Sequence, residues 1–198
     1  MRIPALALPR LACAVLAAAL SVTAVIAGAQ GASETFTGVA INMNQGGRGG
    51  PVEFTVDTWS TEADRDALLA ILKAEKDPYA ANEKLLAAVE RMPFVGQVRG
   101  AGAAGGWNLR LAFQVPLEGG GRRLILVTNR QTTTQPEGAF TDKRVDYPFI
   151  VVEIRLDQAD RGEGKINRGT RLLVDKDDHF VLENYDRLPV GFNEIHRK

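Results

Sequence analysis

The chain is short of the side chains that carry most covalent and metal chemistry. Its single cysteine, Cys13, lies in the N-terminal apolar run, and its two histidines are His179 and His196. Beyond residue 29 the serines are Ser33 and Ser60, one beside a fraying terminus and one at a helix cap. Without cysteine, the chain after residue 29 has no disulfides, thiolate metal sites or cysteine nucleophiles. With the serines and histidines so few and so placed, a Ser-His-Asp hydrolase is not expected, and the two histidines offer little to a catalytic zinc. No metal or cofactor is expected. Basic charge is not in excess either: 24 Lys and Arg face 24 Asp and Glu. Affinity for phosphate backbones rests on clustered Lys and Arg, so nucleic acid is excluded as a partner; the pair Arg122 and Arg123 stands alone. Internal repeats, low-complexity tracts and charged tails are missing as well.

The remaining composition, 24% charged and 45% hydrophobic, is that of an ordinary globular chain. Arg2 and Arg10 precede an acid-free apolar run over 11–27, closed by the small residues Ala27, Gly28 and Ala29. This reads as a cleaved secretory signal over 1–29, with an uncleaved membrane anchor as the alternative. Most of the apolar run follows Cys13, an order unlike that of a lipoprotein signal. Residues 30–198 are then one exported domain, periplasmic or extracellular, with a slight acidic excess once Arg2 and Arg10 are removed. Membrane contact is expected only through the signal.

The strongest strand signal is 146–157. Ile150, Val152, Ile154 and Leu156 share one face at period two, while the other passes from Phe149 and Val151 to Glu153 and Arg155. Alternation also marks strands over 35–43 and 52–59, separated by the glycine-rich loop 44–51. The period then shifts to 3.6. Ser60 and Thr61 are cap residues ahead of Glu62, Asp64 and Asp66, with Leu68, Ile71 and Leu72 at helical spacing to about Lys76. Asp77 and Pro78 open a second helix striped by Leu85, Val89 and Met92. Strands follow over 94–99 and 107–115, the latter with Trp107, Leu109, Leu111, Phe113 and Val115 on one face. The strand 123–129 is apolar on both faces, as a central strand should be. Residues 131–145 read as a long loop. Strands over 165–174 and 179–185 flank an acidic turn, and Pro189, Val190 and Phe192 suggest a last edge strand. The fold class is α+β: a mostly antiparallel sheet of seven to nine strands with one inserted helical hairpin, or a half-closed barrel carrying the same insertion.

Recognised motifs fail on their mechanics. Gly100, Gly102 and Gly105 have dinucleotide-fingerprint spacing, yet a strand rather than a helix N-terminus follows. Gly162, Gly164 and Lys165 lack the Ser or Thr of a P-loop, Ile166 standing there instead. An EF-hand counted from Asp175 puts Phe180 where glycine is needed and Asp186 where the bidentate glutamate belongs. Asp177, Asp178 and His179 then read as an acidic hairpin turn. Asp157, Asp160 and Gly162 read as a polar turn, with a calcium loop as the alternative.

What remains is a constellation. If helices bury one sheet face, Glu53, Asp57, Asn108, Arg110, Gln114, Glu153 and Arg155 share the other, bounded by the loops 44–51 and 131–145. That face suits an unknown small-molecule or protein partner, and paired carboxylates on it could do general acid–base work. An ordinary solvated face with cross-strand ion pairs explains the same residues. The reading is therefore a non-catalytic binding domain, with a carboxylate enzyme and a structural envelope protein as alternatives.

The segment Asp146, Tyr147, Pro148, Phe149, then Gly162, Glu163, Gly164, Lys165 and Leu182, Glu183, Asn184, Tyr185 with Pro189 and Val190, resembles a family of uncharacterised exported bacterial proteins. The similarity extends to Trp59, the helical pair and the strand 122–129. It implies export and a single domain, and offers no catalytic residue.

Overall fold

Alternating apolar residues make most of the described residues strand. In the computed structural model, describing residues 32–42, 48–100, 103–129, 147–176, 180–184 and 190–198, the elements run β1 (Glu34–Asn42), β2 (Arg48–Val56), α1 (Glu62–Ala74), α2 (Pro78–Val89), β3 (Gly96–Gly100), β4 (Ala103–Leu109), β5 (Leu111–Pro116), β6 (Arg122–Asn129), β7 (Phe149–Leu156), β8 (Arg161–Val174), β9 (Phe180–Asn184) and β10 (Val190–Arg197). The expected signal segment, the loop 131–145, the first half of the loop 44–51 (44–47) and the acidic turn at 177–179 lie outside the described residues, while 48–51 belong to β2.

The ten strands among the described residues belong to one antiparallel sheet, ordered β4-β3-β2-β1-β10-β8-β7-β6-β5, with β9 attached to β8. The architecture is α+β with an inserted helical hairpin, and the sheet is not closed into a barrel. The last strand is a correction. Expected at an edge, β10 is central: it pairs with β1 on one side and β8 on the other, joining the two ends of the chain.

The stretch 107–115 is a second correction. It is two strands broken at Arg110. Leu109 lies in the inner core with Trp107 packed against it, whereas Leu111 and Phe113 belong to the outer cluster beneath the helices. Arg110 holds the corner. Its amide donates to the Val127 carbonyl at 2.9 Å, its guanidinium donates to the Met92 carbonyl, and it stacks 3.9 Å from the Phe94 ring centroid. β4 and β5 are the outermost strands of the order, so this one-residue link brings the two edges of the curled sheet together.

Curling sets up two cores. Inside, Phe36, Val52, Phe54, Leu124, Val152, Ile154 and Phe192 form one cluster, with Phe54 and Phe192 edge to face at 5.1 Å. Tight coiling needs Gly162: a Cβ there would lie 1.8 Å from the Arg155 carbonyl oxygen. Outside, Leu68, Leu72, Ala81, Leu85 and Val89 of the helices cover Leu111, Val127, Phe149, Val151 and Leu172.

Both helices start where the sequence places caps. Thr61 and Asp64 form a reciprocal capping box, at 2.8 and 3.1 Å, and Asp77 caps α2 with Pro78 in its first turn. Ser60 does something else. Its amide and hydroxyl take the carbonyl and amide of Ala112, at 2.8 and 3.0 Å, and so cover part of the free edge of β5. Asn82 docks α2 in the same way: fully buried, it bonds the Leu172 carbonyl and amide at 2.8 and 3.0 Å, standing in for a neighbouring strand.

Candidate functional site

Of the seven side chains singled out by pattern, the six besides Gln114 are not gathered at one place. Glu53 on β2 faces Arg99 across β3 and forms an ion pair with Lys198. The Lys198 hydrogen bond and charge hold its carboxyl below the usual range. Asp57 accepts from the Ser33 hydroxyl at 2.9 Å. Asn108 lies opposite Gln97, its carbonyl accepting from Thr128 at 2.7 Å, and Arg110 is the corner just described. Glu153 on β7 pairs with Lys165 at 3.3 Å. Arg155 forms no ion pair among the described residues. β1, β10 and β8 separate β2 from β7 in the sheet, and no hydrogen bond or ion pair joins two of the six. Gln114, on the same expected face, instead accepts from Arg122 at 3.0 Å.

Arg122 belongs to a second polar group, at the end of the inner core. Its guanidinium binds both oxygens of Glu34, at 2.6 and 3.3 Å, and Asp160 at 3.0 Å. Trp59 donates to Glu34 at 2.9 Å, and Arg197 lies 3.6 Å from Glu34 and 3.5 Å from Asp160. Burial would raise the Glu34 carboxyl. The hydrogen bonds from Arg122 and Trp59 and the charges of Arg122 and Arg197 outweigh burial and hold it below its ordinary range. This cluster is saturated with its own partners and plugs the sheet's open end; it has the character of a latch.

Space for a ligand lies on the outer face. Its floor is built from cross-strand rows. The first row, Leu111, Val127, Val151 and Asn167, runs under α1 and α2. The second is Phe113, Ile125, Glu153 and Lys165, and the third Val115, Arg123, Arg155 and Glu163. The helices cover the first row and stop. Beyond them a groove of about 680 Å³ opens over the apolar floor, walled by Trp59, Ser60 and the start of α1 on one side and by Leu172, Phe180, Leu182 and Asn184 on the other. Phe113, Ile125, Phe180 and Leu182 are only partly buried, and Val115 and Val181 at its margin are exposed. A second hollow, about 590 Å³, sits between the α1–α2 corner and the end of β8 among Lys73, Glu75, Asp175 and Lys176. Asn82, at its base, already has its partners.

Pattern reading missed the groove because its walls come from segments far apart in the chain. One signal was present: the strand 122–129 is apolar on both faces, yet carries Arg123 on the outer one. Comparison with protein-family models, with curated proteins and with solved structures returned no match.

Proposed function

We propose that the chain is an exported, non-catalytic binding domain that takes an apolar small molecule in the groove between α1 and β9. One observation carries the reading: Phe113 and Ile125 floor a concave site that neither the helices nor β9 cover. Apolar surface left in water forgoes about 25 cal/mol per Å², and concave apolar sites of about 300–1,000 Å³ are the usual form of small-ligand pockets. The groove falls within that range. A carboxylate-based reaction lacks comparable support, since Glu53 and Glu153 are each engaged by a lysine of their own. Export rests on the pattern of residues 1–29 and on the family resemblance.

The test is titration with a neutral apolar fluorophore such as N-phenyl-1-naphthylamine. Saturable one-site binding is expected, and Ile125→Glu should abolish it without lowering the melting temperature. Unsaturable binding, or binding untouched by that substitution, would overturn the site. For export, protein recovered from the exporting cell should begin near residue 30; recovery only from the cytoplasm with Met1 to Ala29 intact would refute it.

A further inference from the structure

Resting on that groove reading, the geometry points to a narrower ligand class: a single-chain amphiphile with an anionic headgroup, its chain over Phe113 and Ile125 and its headgroup at Arg123 and Arg155. One arrangement on the outer face is unfavourable for the protein alone. Arg123 and Arg155 are direct cross-strand partners on the outer face, and like charges placed so destabilise a sheet. Neither forms an ion pair or side-chain hydrogen bond among the described residues. The Nε of Arg123 is buried without an acceptor, which is costly for a charged donor, and Arg123 itself lines the groove.

Neighbouring carboxylates do not relieve the pair. Glu153 is bound to Lys165 at 3.3 Å. Glu163 lies opposite Arg155 but forms no ion pair with it. Glu62, at the groove wall, makes none either among the described residues. By contrast the guanidinium of Arg122, one residue away but pointing inward, is filled by Glu34 and Asp160. The two adjacent arginines thus differ in partners as well as in face: the inner one has its anions, and among the described residues the outer one has none.

Dimensions fit the same ligand. Polarity rises along β6 from buried Val127 through Ile125 to Arg123, five residues whose four steps span roughly 13 Å at the usual rise of a strand. A medium-length alkyl chain lying along that line would cover Ile125 and Phe113 and bring a carboxylate or phosphate to the fork of Arg123, where a planar guanidinium can donate two bonds.

Calorimetric titration of the purified protein with laurate, dodecanol and dodecyltrimethylammonium decides it. Laurate should bind about tenfold or more tightly than dodecanol, and the cationic analogue most weakly. Arg123→Met, which keeps most of the stem's apolar surface, should remove the laurate preference and leave dodecanol unchanged, while Arg123→Lys should retain most of it. Equal binding of laurate and dodecanol, or indifference of laurate to Arg123→Met, overturns the headgroup assignment but leaves the apolar groove standing. Failure of all three amphiphiles, together with failure of the neutral fluorophore, overturns both.

Discussion

Replacing Arg122 with methionine tests whether the latch at the end of the inner core holds the curled sheet. The side chains of Arg122 and Glu34 keep 19% and 11% of their exposure, so the pair is mostly removed from water. Methionine preserves the packing over Phe36, whose ring centroid lies 5.5 Å from the guanidinium, but leaves Glu34 with only the Trp59 hydrogen bond and the more distant Arg197. Removing one partner of a buried pair costs about 3–5 kcal/mol, and the residual solvent and Arg197 reduce this to an expected 2–4 kcal/mol. At about 2–4 °C per kcal/mol for a domain of this size, the melting temperature should fall by roughly 5–15 °C. The pH dependence adds a sign. With its folded pKa held below the ordinary 4.5, the Glu34 carboxylate contributes stability that is fully present above that value and is lost as pH falls through the lower, folded one. In Arg122→Met burial is no longer outweighed, so the variant's penalty should be greatest near neutrality and shrink in acid. Glu34→Gln should cost less and flatten the acid limb. Urea denaturation of the three proteins between pH 7 and pH 4 measures all of this. A loss under about 1 kcal/mol at pH 7, or one independent of pH, would refute the latch.

Two further substitutions probe the scaffold. Asn82→Ala strands the buried carbonyl and amide of Leu172 and should destabilise by about 2–4 kcal/mol in the same assay; a loss within 0.5 kcal/mol, roughly that of a neutral surface change, would mean that α2 docks by apolar contact alone. Gly162→Ala forces a Cβ against the Arg155 carbonyl at 1.8 Å, so the β7–β8 turn must open, at roughly 2 kcal/mol or more; an unchanged midpoint would show that the sheet relaxes there freely.

Local chemistry made much of this molecule legible from its residues. The cap at Asp77 with Pro78, the helical pair, and the strand Phe149–Leu156 follow from rules that act over a few residues, and the structure has them where the pattern puts them. The places where pattern failed are those where a distant partner decides. Perfect alternation through Trp107, Leu109, Leu111 and Phe113 predicts one flat strand. The sheet bends it at Arg110, because the residue's amide and guanidinium find carbonyls on β6 and at Met92, and the two halves then bury opposite faces in two different cores.

The candidate sites divide along the same line. Sequence alone shows that residues 30–198 hold no cysteine, and a missing side chain is missing in any fold. It also identified Glu153 and Arg155 as polar residues on a strand otherwise suited to burial. Which charges are already neutralised only tertiary structure could decide. Arg122 and Arg123 are adjacent and chemically identical, yet the alternation of a strand sends one inward to Glu34 and the other outward onto an uncovered apolar floor, and the curl of the sheet determines what each of them meets.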